Sequence, residues 1–333
     1  MKLSKNFTIL FSVSLLFLMS NLVNAQGLVE SHGLSDAQDL AEAQVIRPSI
    51  FFSTEVDFVS RTETGALTVI SDGDLLHSSG NIYMRNNELL KKFDVKYDLG
   101  LDAVDVISRR LNLVAFSTEL DSPWGNFTAG DLLTTWGTVI PIAALLSAFD
   151  IPHHLNLGLD AVQFIGKEEN IIHFIKVINE IDPDDLVNNP SLLREFLKKY
   201  DVDIWFSTEG TAPTPQNPLF LDGDLLSAAH GIIIEPNSVL LPTSVPAGII
   251  RRGVDFGLDA VTCYRNGYKK SILFSTEILF EREPDFTDGD VLRYANGSIY
   301  LNNFDLIWRF NPRANFLGLD ALSNSYNIEC QSK

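Results

Sequence analysis

The sequence predicts an all-β protein made of four tandem four-stranded units, best arranged as a four-bladed β-propeller closed by its C-terminal strand. Three observations predict this fold class. Three short motifs each recur four times in the same order, glycine turns separate the apolar stretches of each unit, and the chain ends on the motif that would complete its first unit. Four-stranded units in tandem are typical of propellers. The alternative is that the units form two packed sandwiches, because periodicity fixes strand content better than closure.

The first motif is Phe-Ser-Thr-Glu, and apolar residues precede it, as Ile272 and Leu273 do in the fourth copy. Aromatic and β-branched residues in short runs are typical of strands, so each copy predicts one strand. The four copies occupy residues 52–55, 116–119, 206–209 and 274–277.

The second motif is Asp-Gly-Asp followed by two aliphatic residues, at 72–74, 222–224 and 288–290, with the degenerate copy Ala-Gly-Asp at 129–131. A later glycine between two apolar stretches predicts a hairpin in each unit, most clearly at Asn296-Gly297, a type I′ signal. The motif itself predicts a turn, because Asp bonds its own backbone and Gly allows positive φ. A calcium loop is the alternative, although no copy continues to an EF-hand glutamate.

The third motif is Gly-Leu-Asp-Ala, which opens a further strand in each unit. The chain starts with a Phe-Ser-Thr-Glu strand near Ile50 and ends with a Leu-Asp-Ala strand. The last strand is therefore predicted to complete the first unit and remove an exposed edge. The copies occupy residues 100–103, 158–161, 257–260 and 318–321.

The Asp-Ala pairs give the chain a layout that resembles hemopexin-like domains, four-bladed propellers whose blades open with an Asp-Ala pair on the strand nearest the axis. The units are also similar to repeats of secreted bacterial proteins with a Phe-Ser strand and a Leu-Gly-Leu-Asp-Ala strand, a group with no assigned activity. The first resemblance implies the architecture, and the second implies export. The matching pairs begin at Asp102, Asp160, Asp259 and Asp320.

The repeats form one predicted domain over residues 49–333, preceded by a polar, flexible lead-in at 26–48. Within it the predicted units are about 49–104, 112–164, 202–262 and 270–324.

Residues 167–200 break the repeat pattern, because apolar residues such as Ile171 and Ile175 take helical spacing there. We expect two short helices, with Asp182-Pro183 as the break between them and Pro190 as a helix start. This insertion is predicted to cover core; a partner-binding helix pair is the alternative.

Residues 1–25 have the pattern of a signal peptide, with Lys2 and Lys5 before an apolar run and small residues before Gln26. We therefore predict a secreted or periplasmic protein, and we expect it to be a monomer. We expect no membrane span, because no later stretch approaches about 20 apolar residues. The formal net charge of −18 repels phosphate and argues against nucleic acid as a partner.

The chain has two cysteines, Cys263 and Cys330. An oxidising compartment would allow a disulfide between them. Two independent residues, in the core or at the surface, are the alternative.

Four aspartates, one from each Leu-Asp-Ala copy, would converge if the units surround an axis. Carboxylate oxygens suit Ca²⁺, which takes six to eight oxygen ligands at about 2.4 Å. The alternative is structural: each aspartate accepts backbone hydrogen bonds and locks one unit to the next. The candidate metal ligands are Asp102, Asp160, Asp259 and Asp320.

We expect a non-enzymatic binding or structural module, organised by a cation such as Ca²⁺, with an unidentified protein or glycan as its ligand. The alternative is a secreted hydrolase acting on glycans through paired carboxylates, which needs an acid and a base or nucleophile about 5 to 9.5 Å apart. The repeated glutamates offer such groups, but nothing in the sequence singles out one pair. These are Glu55, Glu119, Glu209 and Glu277.

Overall fold

A computed structural model of the chain describes residues 49–324, apart from 62–64, 153, 190, 213–218, 238–254, 267–268, 282–284, 295 and 315. The predicted signal peptide, the lead-in and Cys330 lie outside the described residues. Within them, strands dominate and form four four-stranded antiparallel sheets, which confirms the all-β prediction.

The strands are, in chain order, β1 (Ile50–Phe52), β2 (Phe58–Arg61), β3 (Leu67–Ile70), β4 (Leu75–His77), β5 (Asn81–Met84), β6 (Val104–Ser108), β7 (Leu113–Phe116), β8 (Leu132–Thr134), β9 (Val139–Ile140), β10 (Val162–Ile165), β11 (Asp203–Phe206), β12 (Leu225–Ser227), β13 (Ile232–Glu235), β14 (Ala260–Asn266), β15 (Lys269–Ser275), β16 (Phe280–Glu281), β17 (Asp285–Phe286), β18 (Val291–Arg293), β19 (Ile299–Leu301) and β20 (Leu322–Asn324).

All four sheets use the motifs in the same order. Sheet 1 is β20-β1-β4-β5, sheet 2 is β6-β7-β8-β9, sheet 3 is β10-β11-β12-β13, and sheet 4 is β14-β15-β18-β19. The first strand of each sheet follows Leu-Asp-Ala, and we call it the inner strand. The second runs into Phe-Ser-Thr-Glu, and the third follows the Asp-Gly-Asp turn. Two small hairpins, β2-β3 and β16-β17, stand apart from the sheets.

The last strand pairs with the first one, as the sequence predicted. In sheet 1, Ile50 lies opposite Asn324 and Phe52 opposite Leu322, in an antiparallel register. The inner strands also contact one another in cyclic order, β6 with β10, β10 with β14, β14 with β20, and β20 with β6. Each inner strand therefore has an equivalent strand on both sides.

The core consists mainly of four hydrophobic clusters, each shared by two sheets that are neighbours in this order. The phenylalanine of Phe-Ser-Thr-Glu is fully buried in every copy, and burying a side chain of this size stabilises a fold by about 1.5–3 kcal/mol. Each cluster has members from both sheets, for example Phe51 and Phe116, Leu132 and Phe206, Leu225 and Phe274, and Leu273 and Phe52.

The second aspartate of Asp-Gly-Asp holds the turn, which confirms the turn prediction. The Asp290 carboxylate accepts from the N–H of Thr287 at 2.8 Å and from the N–H of Asn303 at 2.7 Å. Asp74, Asp131 and Asp224 accept the corresponding pairs of bonds in the other units. These carboxylates are occupied by backbone donors, which disfavours the calcium-loop alternative.

Short helices follow the outer strands of sheets 1, 2 and 4, where the sequence analysis predicted none. They are α1 (Asn86–Leu89), α2 (Ile142–Leu145) and α6 (Asn303–Ile307). Four or five residues are too few to show a helical period in the sequence, which explains the omission. Each helix continues into a 3₁₀ turn that ends at a left-handed residue, Asp94, Asp150 or Asn311.

The insertion is helical, but it contains three helices and not two: α3 (Glu168–Ile178), α4 (Pro183–Asn188) and α5 (Leu192–Tyr200). Pro183, which we expected to break a helix, begins α4, because proline suits the first helical position and Asp182 caps it. Buried residues such as Ile175 and Leu197 pack into the cluster between sheets 2 and 3. In the described part of the chain, no helix has the length and apolarity to cross a membrane.

Candidate functional site

The motifs place eight carboxyl groups at the same end of the sheets. Each inner strand begins just after its aspartate, and the antiparallel second strand leads into its glutamate. The aspartates are buried, with 4–9% of their surface exposed, and the glutamates are exposed. We call this set the carboxylate cluster: Asp102, Asp160, Asp259, Asp320, Glu55, Glu119, Glu209 and Glu277.

The glycine of Gly-Leu-Asp-Ala leaves room for the glutamate side chain of the same sheet. A Cβ atom on Gly158 would lie 2.3 Å from the carboxyl carbon of Glu209, and one on Gly100 would lie 2.4 Å from that of Glu119. Both glycines also have φ values near +70°, which residues with a side chain rarely adopt. The glycine is thus required twice, for the backbone turn and for the glutamate above it.

Burial raises the pKa of all four aspartates, and neighbouring acids raise it further. The pKa of Asp320 rises to about 9, first through burial and then through Asp102 and Glu119. The pKa values of the other three also lie well above the usual range, for the same reasons. Without a counter-charge, the ionised forms are therefore disfavoured at neutral pH.

The glutamates show the same trend. Their side chains are exposed, but partial burial of the carboxyl group raises the pKa of Glu119 to about 7, with Asp72 as the next cause, and that of Glu277 to about 7, with Asp222 next. Burial also raises the pKa values of Glu55 and Glu209. The leading causes of these shifts are burial and other carboxyl groups, and none of them is a lysine or arginine.

For each aspartate, the glutamate with the largest effect on its pKa belongs to the next sheet in the cyclic order. Glu119 of sheet 2 hydrogen bonds to Asp320 of sheet 1, and Glu277 of sheet 4 hydrogen bonds to Asp160 of sheet 3. At the equivalent positions, Glu209 raises the pKa of Asp102, and Glu55 raises that of Asp259. A hydrogen bond between two carboxyl groups requires a proton on one of them.

Several aspartate oxygens have no partner. The Oδ2 atoms of Asp102, Asp160 and Asp320 are buried without a hydrogen bond in the described structure. As the side chains stand, no three His, Cys, Asp or Glu residues among those described are gathered so that they could hold a metal ion. The predicted ligands therefore meet, but as neighbouring pairs and not as a closed coordination shell.

The bonds that lock sheet to sheet come from serines, and the backbone lock expected of the aspartates is not seen among the described residues. The hydroxyl of Phe-Ser-Thr-Glu in one sheet donates to the leucine carbonyl of Leu-Asp-Ala in the next. The three such bonds are Ser53 to Leu101 at 2.9 Å, Ser117 to Leu159 at 2.8 Å and Ser207 to Leu258 at 2.6 Å. In the fourth copy, Ser275 donates to Asp259 at 3.4 Å.

A second ring of polar side chains, which the sequence analysis missed, crosses the inner strands three residues after the aspartates. We call Asp105, Gln163, Thr262 and Ser323 the polar girdle. Asp105 accepts from Gln163 at 3.0 Å and Ser323 at 3.2 Å, and Gln163 accepts from Thr262 at 3.0 Å. The backbone N–H of Asn324 donates to Thr262 at 3.0 Å and completes the circuit.

Only one member of the predicted disulfide can be placed. Cys263 lies on β14 with 7% of its surface exposed, and its N–H donates to Gln163 at 3.1 Å. Cys330 lies outside the described residues, so the pairing stays a prediction.

Neither a protein-family model, a curated protein nor a solved structure matches this chain. The resemblances drawn from the motifs therefore stay predictions, and function is inferred from the site itself.

Proposed function

We propose that this chain is an extracytoplasmic binding or structural module without catalytic activity. In this proposal it is a four-bladed propeller, closed by its C-terminal strand, whose carboxylate cluster is organised by a divalent cation such as Ca²⁺. One observation carries the proposal: eight carboxyl groups converge with no basic group among the leading causes of their pKa shifts, and three buried aspartate oxygens have no partner.

The cyclic contacts between inner strands support the propeller. Every hydrophobic cluster that joins two sheets follows the same cyclic order, and so does the polar girdle. If the units formed two packed sandwiches, the four aspartates would not meet. Their mutual pKa effects instead include Asp102 on Asp160 and Asp320 on Asp259.

A cation supplies the counter-charge that the cluster lacks. Buried carboxylates are costly unless they are paired or coordinate a metal, and hard oxygen ligands favour Ca²⁺. The aspartates would have to turn toward the ion. For Asp320 and Asp160, bonds to the ion would then replace the hydrogen bonds to Glu119 and Glu277.

The equivalence of the carboxyl groups favours binding over glycan hydrolysis. A glycosidase needs one acid and one base or nucleophile in different environments. Here the upward pKa shifts recur at the same motif positions in every unit, for the same leading cause. The shifts thus follow the repeat and do not mark out one pair.

Thermal unfolding with Ca²⁺ and with a chelator tests the proposal. Ca²⁺ at 100 times its dissociation constant should stabilise the mature protein by about 2.7 kcal/mol. The double variant D102N/D259N should lose most of this shift. The control D94N/D150N removes the same charge from exposed left-handed residues, where asparagine is equally tolerated, and should keep it.

An equal melting temperature with Ca²⁺ and with chelator would rule out the cation. Release of reducing sugar or any other turnover by the purified protein would rule out the non-enzymatic module.

A further inference from the structure

The four units differ from one another where sheets 2 and 3 meet. The residue after Phe-Ser-Thr-Glu is an aliphatic side chain in three units, Val56, Leu120 and Ile278, each 50–57% exposed. In sheet 3 it is Gly210. The first residue of Asp-Gly-Asp is acidic in three units, and in sheet 2 it is Ala129.

Both exceptions line one cleft. The cleft has a volume of about 390 Å³, and both small residues line it together with exposed glutamates of sheets 2 and 3. Its lining consists of Glu119, Ala129, Asn156, Leu157, Gly158, Glu209 and Gly210.

Both substitutions make room beside Glu209. In the other units the first aspartate of Asp-Gly-Asp lies close enough to a cluster glutamate to raise its pKa, as Asp222 does for Glu277. Ala129 removes that like charge, and Gly210 removes an aliphatic side chain. Accordingly, the pKa of Glu209 is raised by partial burial of its carboxyl group.

The buried Asp102 lies near the glutamates that line the cleft. Glu209 is the charged group with the largest effect on Asp102, whose Oδ2 is buried without a hydrogen bond among the described residues. The lining itself contains two carboxylates and no basic side chain. Charge complementarity therefore requires a cationic occupant.

We propose that this cleft binds an alkylammonium group, presented either by a lysine side chain of a partner protein or by a free diamine. The ammonium would lie between Glu119 and Glu209, and the alkyl stem would pass over Leu157 and Ala129. Long ammonium side chains bury their stems on apolar surface and pair their heads with carboxylates in this way. The inference rests on the proposed function as a binding module and names its ligand class.

The decisive variant is G210V, which introduces at this position the aliphatic type of residue that the other units have. Gly210 has no left-handed backbone, and an added Cβ would meet the flexible Leu157 side chain at 3.2 Å, so G210V is compatible with the fold. E209Q removes the charge with little change of shape. The matched control is V56L, which exchanges one aliphatic residue for another at the equivalent position of sheet 1.

Calorimetric titration of the full mature protein at pH 8 and low salt, in chelator, provides the test, because Ca²⁺ would compete for the same glutamates. Cadaverine and N-acetyl-lysine methylamide are the probes, and the arm that binds more tightly identifies the source of the ammonium. We expect about tenfold weaker binding, or none, in G210V and E209Q, no change in V56L, and weaker binding at high salt. Equal binding by G210V and the original chain, or no binding of either probe at about 10 mM, would overturn the inference.

The two proposals fail separately. The Ca²⁺-induced melting shift is measured on the original chain and on G210V. A normal shift without amine binding to the original chain would refute only the ammonium site, and amine binding without a Ca²⁺ shift would refute only the cation.

Discussion

The polar girdle and the carboxylate cluster both draw one polar group from each inner strand, yet their chemistry is opposite. The girdle uses four different residues, in which the Gln163 amide both donates and accepts and the Ser323 hydroxyl donates to Asp105. The cluster repeats the same two acids in every unit. Identical carboxylates can only accept once ionised, so they cannot satisfy one another.

The comparison shows what repetition costs at a shared centre. In the polar girdle, where the four residues differ, the side chains satisfy one another's hydrogen bonds. In the carboxylate cluster, where the residues are identical, the charge balance depends on bound protons or on an ion from solution. Variants in the two rings should therefore respond in opposite directions.

The largest effect is expected from D105A. The change leaves the Phe164 N–H, the Gln163 amide and the Ser323 hydroxyl without their buried acceptor, which should lower the free energy of unfolding by about 3 kcal/mol. Urea denaturation with and without Ca²⁺ measures it, and the loss should be the same in both. A change below 1 kcal/mol would mean that the girdle is not a stabilising circuit.

D320N should have the opposite sign in chelator. At pH 8 the folded state must protonate Asp320, because burial raises its pKa to about 9, and asparagine removes that cost. We expect stabilisation of about 2 kcal/mol or more in urea denaturation. The exposed control D150N should change little. Destabilisation of D320N in chelator would show that the ionised aspartate is satisfied without metal.

The stability of the metal-free protein should fall as pH rises. Each acid whose pKa is raised on folding binds its proton more tightly in the folded state, so the folded state holds more protons than the unfolded state between about pH 4.5 and 9. The pKa values of about 7 for Glu119 and Glu277 and about 9 for Asp320 set the upper part of this window. Melting temperatures in chelator should be higher at pH 5.5 than at pH 8.5, and saturating Ca²⁺ should flatten the difference.

The smallest effect concerns the serine locks. Ser117 donates to Leu159 and accepts from the N–H of Ala103 at 2.8 Å, whereas Ser275 donates to Asp259 at 3.4 Å. S117A should therefore cost about 1–2 kcal/mol, and S275A less. Urea midpoints compare the two. An equal loss would show that the Ser275 bond to Asp259 within sheet 4 is worth as much as the serine bonds between sheets.

The repeats predicted the four sheets well because each of their strands is tied to a motif or a glycine turn that can be found by comparing the chain with itself. The same comparison found the Asp102 and Glu119 families, since identity reveals them. It missed the polar girdle for the opposite reason: Asp105, Gln163, Thr262 and Ser323 share a position but not a residue type. A polar residue three places after each Leu-Asp-Ala aspartate was the available signal.

The coupling between sheets could not be predicted from the sequence. Glu119 hydrogen bonds to Asp320 and not to the aspartate of its own sheet, and this choice depends on how neighbouring sheets pack against each other. The cleft beside Gly210 depends on the same geometry, although its two exceptional residues were visible in the aligned repeats.

The pairing of β20 with β1 makes the order of synthesis matter. Sheet 1 lacks its inner strand until nearly the whole described chain has been made, so it must wait while sheets 2 and 3 can already assemble from local segments. Closing so long a loop slows folding. The newly made protein would therefore pass through a form in which β1 is an unpaired edge strand. We expect a chaperone that binds unfolded chains to act at that edge.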